Sequence, residues 1–111
     1  MNIQSRTSFD STDCHPLVMT DHRIMFVTHK CREIRSLSVK QCLQITDFGV
    51  SYAFRMLRSK LIEFDCSGSD LISDKSLLIL GFCCPWLQTL RVAACPKITN
   101  MGVECVLSRC F

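Results

Sequence analysis

The chain contains nine cysteines and three histidines, side chains that can bind zinc or supply a nucleophile and its base. A structural zinc site requires ligands paired at short spacing, and the sequence contains no Cys-x-x-Cys or His-x-x-x-His pair. His15, His22 and His29 lie near the start of the chain without a partner that would make one of them a catalytic base. We therefore assign no catalytic, metal-binding or cofactor-binding residue. A zinc- or thiol-dependent enzyme is kept only as a remote alternative.

The cysteines are instead predicted to be free thiols that fill the interior. The N-terminal stretch MNIQSRTSFDSTDCHP is polar and lacks the apolar run of a secretory signal, which favours the reducing cytoplasm. An odd number of cysteines also leaves one unpaired in any fully bridged scheme. The net charge of +3 and the short apolar runs give no indication of a nucleic-acid or membrane partner.

Most of these cysteines belong to a spacing that occurs three times along the chain. The first copy is Ile34, Leu37, Val39, Cys42, Ile45, Thr46, Asp47, Gly49, Val50, the second is Leu61, Phe64, Cys66, Ser69, Ile72, Ser73, Asp74, Ser76, Leu77, and the third is Leu87, Leu90, Val92, Cys95, Ile98, Thr99, Asn100, Gly102, Val103. The copies are 27 residues (61−34) and 26 residues (87−61) apart. An internal repeat of this length predicts one supersecondary unit per copy.

The repeat divides the chain into five segments. Residues 1–18 are polar and predicted to be disordered, and residues 19–31 match the end of a further unit and are predicted to form a helix. Three full units follow at about 32–58, 59–84 and 85–111. Cys31, Cys84 and Cys110 share one position, immediately before a strand.

Each unit is predicted to form a short strand followed by a helix. Leu37 and Val39 alternate with polar residues, as in a strand with one buried face. Because every connection returns through a helix, the strands should be parallel, with Leu37, Phe64 and Leu90 directly above one another. Asp47 and Asp74 are predicted to cap the helices that follow them, and Asn100 is predicted to serve the same role.

The frame L-x-x-L-x-L-x-x-C-x-x-I-T-D-x-G-V resembles the cysteine-containing repeats of the F-box leucine-rich-repeat family. The resemblance covers residues 19–111 and implies an α/β fold, a right-handed solenoid with short parallel strands on its concave face and helices on its convex face. It also implies a substrate-recognition role in a ubiquitin ligase. The segment before residue 19 is too short for an F-box. A fragment or short isoform of a longer parent chain is therefore expected, with an uncapped last unit and low stability.

The predicted function is binding of a protein partner, which is either a ubiquitination substrate or a complex subunit. The partner-binding residues are expected at outward strand positions: Ser36, Ser38, Lys40, Glu63, Asp65, Ser67, Thr89 and Arg91. Asp65 and Arg91 could equally pair with each other. Trp86 is a candidate hot spot, although burial against a loop is expected more strongly. The alternative function is a structural subunit of an axonemal dynein-regulatory assembly in the cilium.

Overall fold

The computed structural model describes residues 7–10 and 19–110. The strands are β1 (Ser8–Asp10), β2 (Ser36–Ser38), β3 (Glu63–Asp65) and β4 (Thr89–Arg91). The helices are α1 (Asp21–Lys30), α2 (Asp47–Leu57), α3 (Asp74–Cys83) and α4 (Asn100–Arg109). A 3-10 turn, Arg58–Lys60, follows α2. Strands and helices therefore alternate along the chain.

The four strands form one parallel sheet in the order β1-β2-β3-β4. The register aligns Leu37 with Phe64 and Phe64 with Leu90, which confirms the predicted stacking of these three side chains. The protein is thus an α/β structure with a parallel four-stranded sheet and four helices. This architecture is compatible with a leucine-rich-repeat-like fold.

The core lies between the sheet and the helices. Leu37 and Phe64 are fully buried, and the Phe64 ring meets the Phe54 ring of α2 edge to face with centroids 4.8 Å apart. Such aromatic pairs contribute beyond the area they bury. In the last strand and the loop after it, Leu90 and Val92 are only half-buried. The interior is therefore best covered at the level of β2 and β3.

The helix caps differ from the prediction. Thr46, Ser73 and Thr99 are the N-cap residues, and the hydroxyls of Thr46 and Ser73 accept hydrogen bonds from the N–H groups of Phe48 and Lys75. Asp47 and Asp74 were predicted as caps, and so was Asn100; all three are instead the first residues of their helices. The capping prediction was therefore wrong by one residue.

The carboxylates of the first helical turn instead bind the next unit. Asp21 accepts hydrogen bonds from the N–H and hydroxyl groups of Thr46, at 2.8 and 2.5 Å. Asp74 does the same with Thr99, at 2.8 and 2.6 Å. Asp47 accepts from the N–H and hydroxyl groups of Ser73, at 2.8 and 2.6 Å, and from the Ser76 hydroxyl. We call these three carboxylates the aspartate ladder.

The aspartate ladder explains why glycine is the third residue of two helices, α2 and α4. A Cβ atom on Gly49 would lie 2.8 Å from Asp21 Cγ, and one on Gly102 would lie 2.6 Å from Asp74 Cγ. Ser76 departs from glycine at the equivalent position, and its hydroxyl donates to the carboxylate instead. In α3, a hydrogen bond from the Ser76 side chain therefore takes the place of the close contact between glycine and carboxylate.

The position that Ser69 occupies after β3 and Cys95 occupies after β4 also joins neighbouring units. Cys95 Sγ donates to the carbonyl of Cys66 at 3.0 Å, and Ser69 Oγ donates to the carbonyl of Val39 at 3.1 Å. Serine and cysteine thus serve the same purpose, satisfying a backbone oxygen one unit earlier.

Strand β1 was not predicted. It lies within residues 1–18, which the sequence suggested would be disordered, and it pairs in parallel with β2. Phe9 is the reason, because its ring is 7% exposed and extends the core beside Leu37. The other residues of that segment, except Thr7, lie outside the described residues, and the division into units stays a prediction.

Candidate functional site

The outward residues of the strands form a polar surface, which we call the strand face and define as the eight predicted partner-binding positions. Two rows run across it in register: Ser36, Glu63, Thr89 and Ser38, Asp65, Arg91. Parallel strands place such residues about 4.8 Å apart. An open groove of about 370 Å³ lies over the β1 side of this surface. It is lined by Ser8, Phe9, Asp10, Ser36, Leu37, Ser38, Lys40, Glu63, Asp65 and Arg91.

Six of the eight predicted positions line this groove, while Ser67 and Thr89 do not. Ser8 and Asp10 extend both rows by one strand and were not among the predicted positions. A signal was present, because Phe9-Asp10 repeats the pair Phe64-Asp65. The spacing hides this signal, because Phe9 lies 10 positions before Met19, whereas Leu37 lies 8 positions before Ile45.

The ion pair on the strand face joins Arg91 to Glu63, whereas the sequence suggested a pair between Arg91 and Asp65. Arg91 Nη1 lies 3.5 Å from Glu63 Oε1, diagonal to it across the strands, and not against Asp65. Asp65 Oδ1 instead accepts a hydrogen bond from the Ser67 N–H at 2.9 Å. Because both partners of the ion pair are solvent-exposed to about half, it holds little energy and can open for a ligand.

Ser38 is the strand-face residue with unmet hydrogen-bonding capacity. Its hydroxyl oxygen is buried and has no hydrogen-bond partner among the described residues. The residue lies between Asp10 and Asp65 in the row of β1, β2 and β3. A buried hydroxyl without a partner is unfavourable, so a polar group entering the groove would be stabilised there.

Trp86 lies outside the groove and on the surface. Its side chain is 60% exposed, so the expected burial against a loop was wrong. One unit earlier, the equivalent Lys60 forms a 2.7 Å ion pair with Glu33. The hydrogen bond and the charge of Lys60 lower the pKa of Glu33 below its ordinary value. Trp86 thus continues a charged row with a large aromatic surface.

The buried thiols are poor nucleophiles. Burial raises the pKa of Cys84 to about 12, with smaller contributions from Cys83 and Cys110. Burial, followed by the neighbouring Cys95, also raises the pKa of Cys66 strongly, and the Cys66 and Cys95 sulfurs lie 3.9 Å apart. Six of the described cysteines are free thiols: Cys66, Cys83, Cys84, Cys95, Cys105 and Cys110. A thiol with so high a pKa is almost entirely protonated at neutral pH.

Alkylation of the native protein with iodoacetamide at pH 7.5 is expected to modify Cys105 much faster than Cys84. Cys105 is partly exposed, whereas Cys84 is fully buried and its thiolate fraction is about a thousandfold below that of a thiol with the ordinary pKa of 9.0. Peptide mass spectrometry at successive times measures both rates. In urea the two rates should converge, and equal rates in the native protein would contradict the assignment.

Across residues 7–10 and 19–110, no three His, Cys, Asp or Glu side chains are grouped so that they could hold a metal ion. No helix in those ranges has both the length and the apolar character needed to cross a bilayer. His22 and His29 are exposed, and His29 Nδ1 lies 3.1 Å from the Tyr52 hydroxyl, while His15 is outside the described residues.

Comparison with known proteins points to one kind of relative. No protein-family model matches the sequence. The chain is similar to F-box/LRR-repeat protein 23 of Arabidopsis thaliana, with 33% identity over 87 residues. The match covers 77% of this chain and 19% of that protein, so the chain spans about a fifth of the length of the relative it matches. The sequence similarity suggests a distant relationship to F-box/LRR-repeat proteins, and the alternating α/β architecture is compatible with it.

Proposed function

We propose that the chain is a non-catalytic protein-interaction module that binds its partner through the strand face. The observation that carries this proposal is the in-register rows of polar side chains, which contain the Ser38 hydroxyl, buried and without a hydrogen-bond partner among the described residues. Stacked units with a continuous sheet present an extended surface suited to a protein ligand. In this proposal the units form a right-handed solenoid, with the strand face on its concave side.

The proposed role is substrate recognition for a ubiquitin ligase, as an adaptor in the cytoplasm. Its support is the similarity to an F-box/LRR-repeat protein, together with the repeat frame. The partner is then a protein to be ubiquitinated, and an F-box would belong to a longer parent chain. Trp86 is proposed as an additional contact, because exposed tryptophans are enriched among residues that dominate binding energy.

Site-specific photocrosslinking tests the proposal. The photoreactive residue benzoylphenylalanine replaces Ser36 or Thr89 on the strand face and, as a matched control, exposed Met101 on α4. The chain is expressed in cells of its source and irradiated. We expect discrete crosslinked partners from the two strand-face positions and not from position 101. When the same chains also carry Glu63→Lys, these crosslinked products should disappear, because the substitution reverses one charge of the groove.

The identity of the crosslinked proteins tests the role. A partner whose ubiquitination falls when the chain is depleted supports an adaptor, whereas axonemal proteins would indicate the structural alternative and overturn the adaptor role. If crosslinks from Ser36 and Thr89 do not exceed those from position 101, the strand face is not the binding surface.

A further inference from the structure

Helix α2 carries one residue more than its neighbours, and this residue changes the surface beside it. From the first helical residue to the next strand there are 16 positions after Asp47 (63−47), but 15 after Asp21 (36−21) and after Asp74 (89−74). Leu57 is buried at the helix end, as is Cys84 one unit later. The additional residue is absorbed at Arg58, whose φ of 46° lies in the region that residues other than glycine rarely adopt.

Arg58 borders a groove between α2 and α3. The groove is open, has a volume of about 260 Å³ and is lined by Arg55, Arg58, Leu78, Ile79, Phe82 and Cys83. Leu78 and Phe82 are one helical turn apart on α3 and are 52% and 72% exposed. The α3 side is thus apolar, although it faces solvent.

The α2 side of the groove is positively charged. Arg55 and Arg58 are exposed, and neither makes an ion pair with any residue in the part of the chain that the structure describes. Arg55 and Phe82 occupy the same position, eight residues after the first residue of their helices, so they lie in adjacent units. Two guanidinium groups therefore border an exposed aromatic and aliphatic surface.

We propose that this α2–α3 groove binds an acidic segment of a partner protein. Its apolar side chains contact Leu78 and Phe82, and its carboxylates pair with Arg55 and Arg58. Guanidinium groups suit this role because they bind carboxylates in a bidentate geometry and are weakly hydrated. Two cations are fewer than the cluster of 4–8 that a polybasic site for anionic lipid requires, roughly, which favours an acidic protein segment over a membrane. The groove is separate from the strand face.

Fluorescence anisotropy with a defined probe tests the proposal. The probe is a short fluorescein-labelled peptide of Glu, Leu and Phe, and its counterpart has every Glu replaced by Lys. We expect the full chain to bind the acidic peptide and not the basic one, with affinity that falls as salt is raised. The double variant Arg55→Gln and Arg58→Asn should bind about tenfold more weakly, since two ion pairs are lost. Asparagine is chosen because it tolerates a positive φ.

Matched variants show whether a loss of peptide binding comes from this groove or from a change elsewhere on the surface. Arg23→Gln with Lys97→Gln removes the same charge from exposed positions elsewhere and should leave binding unchanged. Leu78→Gln with Phe82→Gln should weaken binding, whereas Met101→Gln with Leu107→Gln, equally exposed on α4, should not. Circular dichroism confirms the fold of each variant. Glu63→Lys, which alters the strand face, should not weaken binding, so the two proposals fail independently.

Several outcomes would overturn the proposal. A carboxylate-binding groove would be excluded if the acidic peptide did not bind the chain. It would also be excluded if the peptide bound the Arg55 and Arg58 variant as tightly as the original chain. Equal binding of both peptides would show that the contact is purely apolar. Vesicles of phosphatidylserine provide the last comparison: if they bind the chain through Arg55 and Arg58 and the peptide does not, the surface is a lipid site.

Discussion

Replacing Phe64 by Ala is expected to lower the free energy of unfolding by about 3–5 kcal/mol, the usual cost of removing a buried phenylalanine. The Phe64 ring is fully buried, packs edge to face on Phe54 and lies between Leu37 and Leu90 in the sheet. The variant leaves a cavity at the centre of the core. Since domains of ordinary size are stable by about 5–15 kcal/mol, this loss is a large fraction of the total stability. Urea denaturation followed by circular dichroism measures the change.

Phe82→Ala is the control for this prediction. Phe82 is 72% exposed, and we expect a change within about 0.5 kcal/mol, as for an ordinary surface substitution. If Phe64→Ala and Phe82→Ala destabilise the protein equally, the core does not lie where the structure places it.

Replacing Asp47 by Ala is expected to lower the free energy of unfolding by about 2–3 kcal/mol. The substitution removes the acceptor for the Ser73 N–H and hydroxyl groups and for the Ser76 hydroxyl, which join two neighbouring units. Hydrogen bonds to a charged group contribute about 1.5–3 kcal/mol each, but partial exposure of the carboxylate reduces their sum. Asp70→Ala is the control, because Asp70 is exposed, and its expected effect is below about 0.5 kcal/mol.

The contribution of Asp47 should also depend on pH. Burial raises the pKa of Asp47, but the hydrogen bonds from Ser73 and Ser76 outweigh it, so the net pKa lies below the ordinary value of 3.8. A carboxyl group with a lowered pKa in the folded state stabilises the protein above its unfolded pKa, and this stabilisation is lost as the pH falls through its folded pKa.

Asp47→Asn isolates this effect, because it removes the charge and keeps one acceptor oxygen. The difference in unfolding free energy between the original protein and Asp47→Asn should be constant above about pH 5 and should shrink below about pH 4. Urea denaturation from pH 7 to pH 3 measures it. A difference that grew on acidification would show that the carboxylate does not stabilise the folded state.

The parallel stacking of the units could be predicted because its cause is local and repeated. Leu37, Phe64 and Leu90 each alternate with polar residues, and their spacing of 26 or 27 residues leaves room for one helix between strands. A strand with one apolar face and a helix of regular period can bury both only against each other. The burial of the helix residues Val50, Phe54 and Leu77 follows from the same pattern.

The polar contacts could not be predicted in the same way, because they depend on distances between units. Thr46 and Asp47 are adjacent, and either residue type is a good helix cap. Only the three-dimensional stacking shows that the carboxylate of Asp47 reaches Ser73 of the next unit. Similarly, the register makes Asp65 the neighbour of Arg91, but the long arginine side chain extends diagonally to Glu63.

The exposed residues were the hardest to place from sequence. A tryptophan after a proline is compatible with either burial or exposure, and the choice depends on how the loop before β4 packs. Arg58 gives no sequence signal of its positive φ, since the repeat spacing indicates only that one additional residue is present. The α2–α3 groove therefore became apparent only in three dimensions.

The order of the sheet has a consequence for how the protein loses structure. Strands β2 and β3 each have a parallel neighbour on both sides, while in the described part of the chain β1 and β4 have one each. Opening of the described sheet should therefore begin as fraying at its two edge strands, with the amide protons of β2 and β3 among the slowest to exchange with solvent. A lesion near Phe64 or Asp47 would act differently. It would weaken the contact between the units on either side of it and so lower the cooperativity of unfolding.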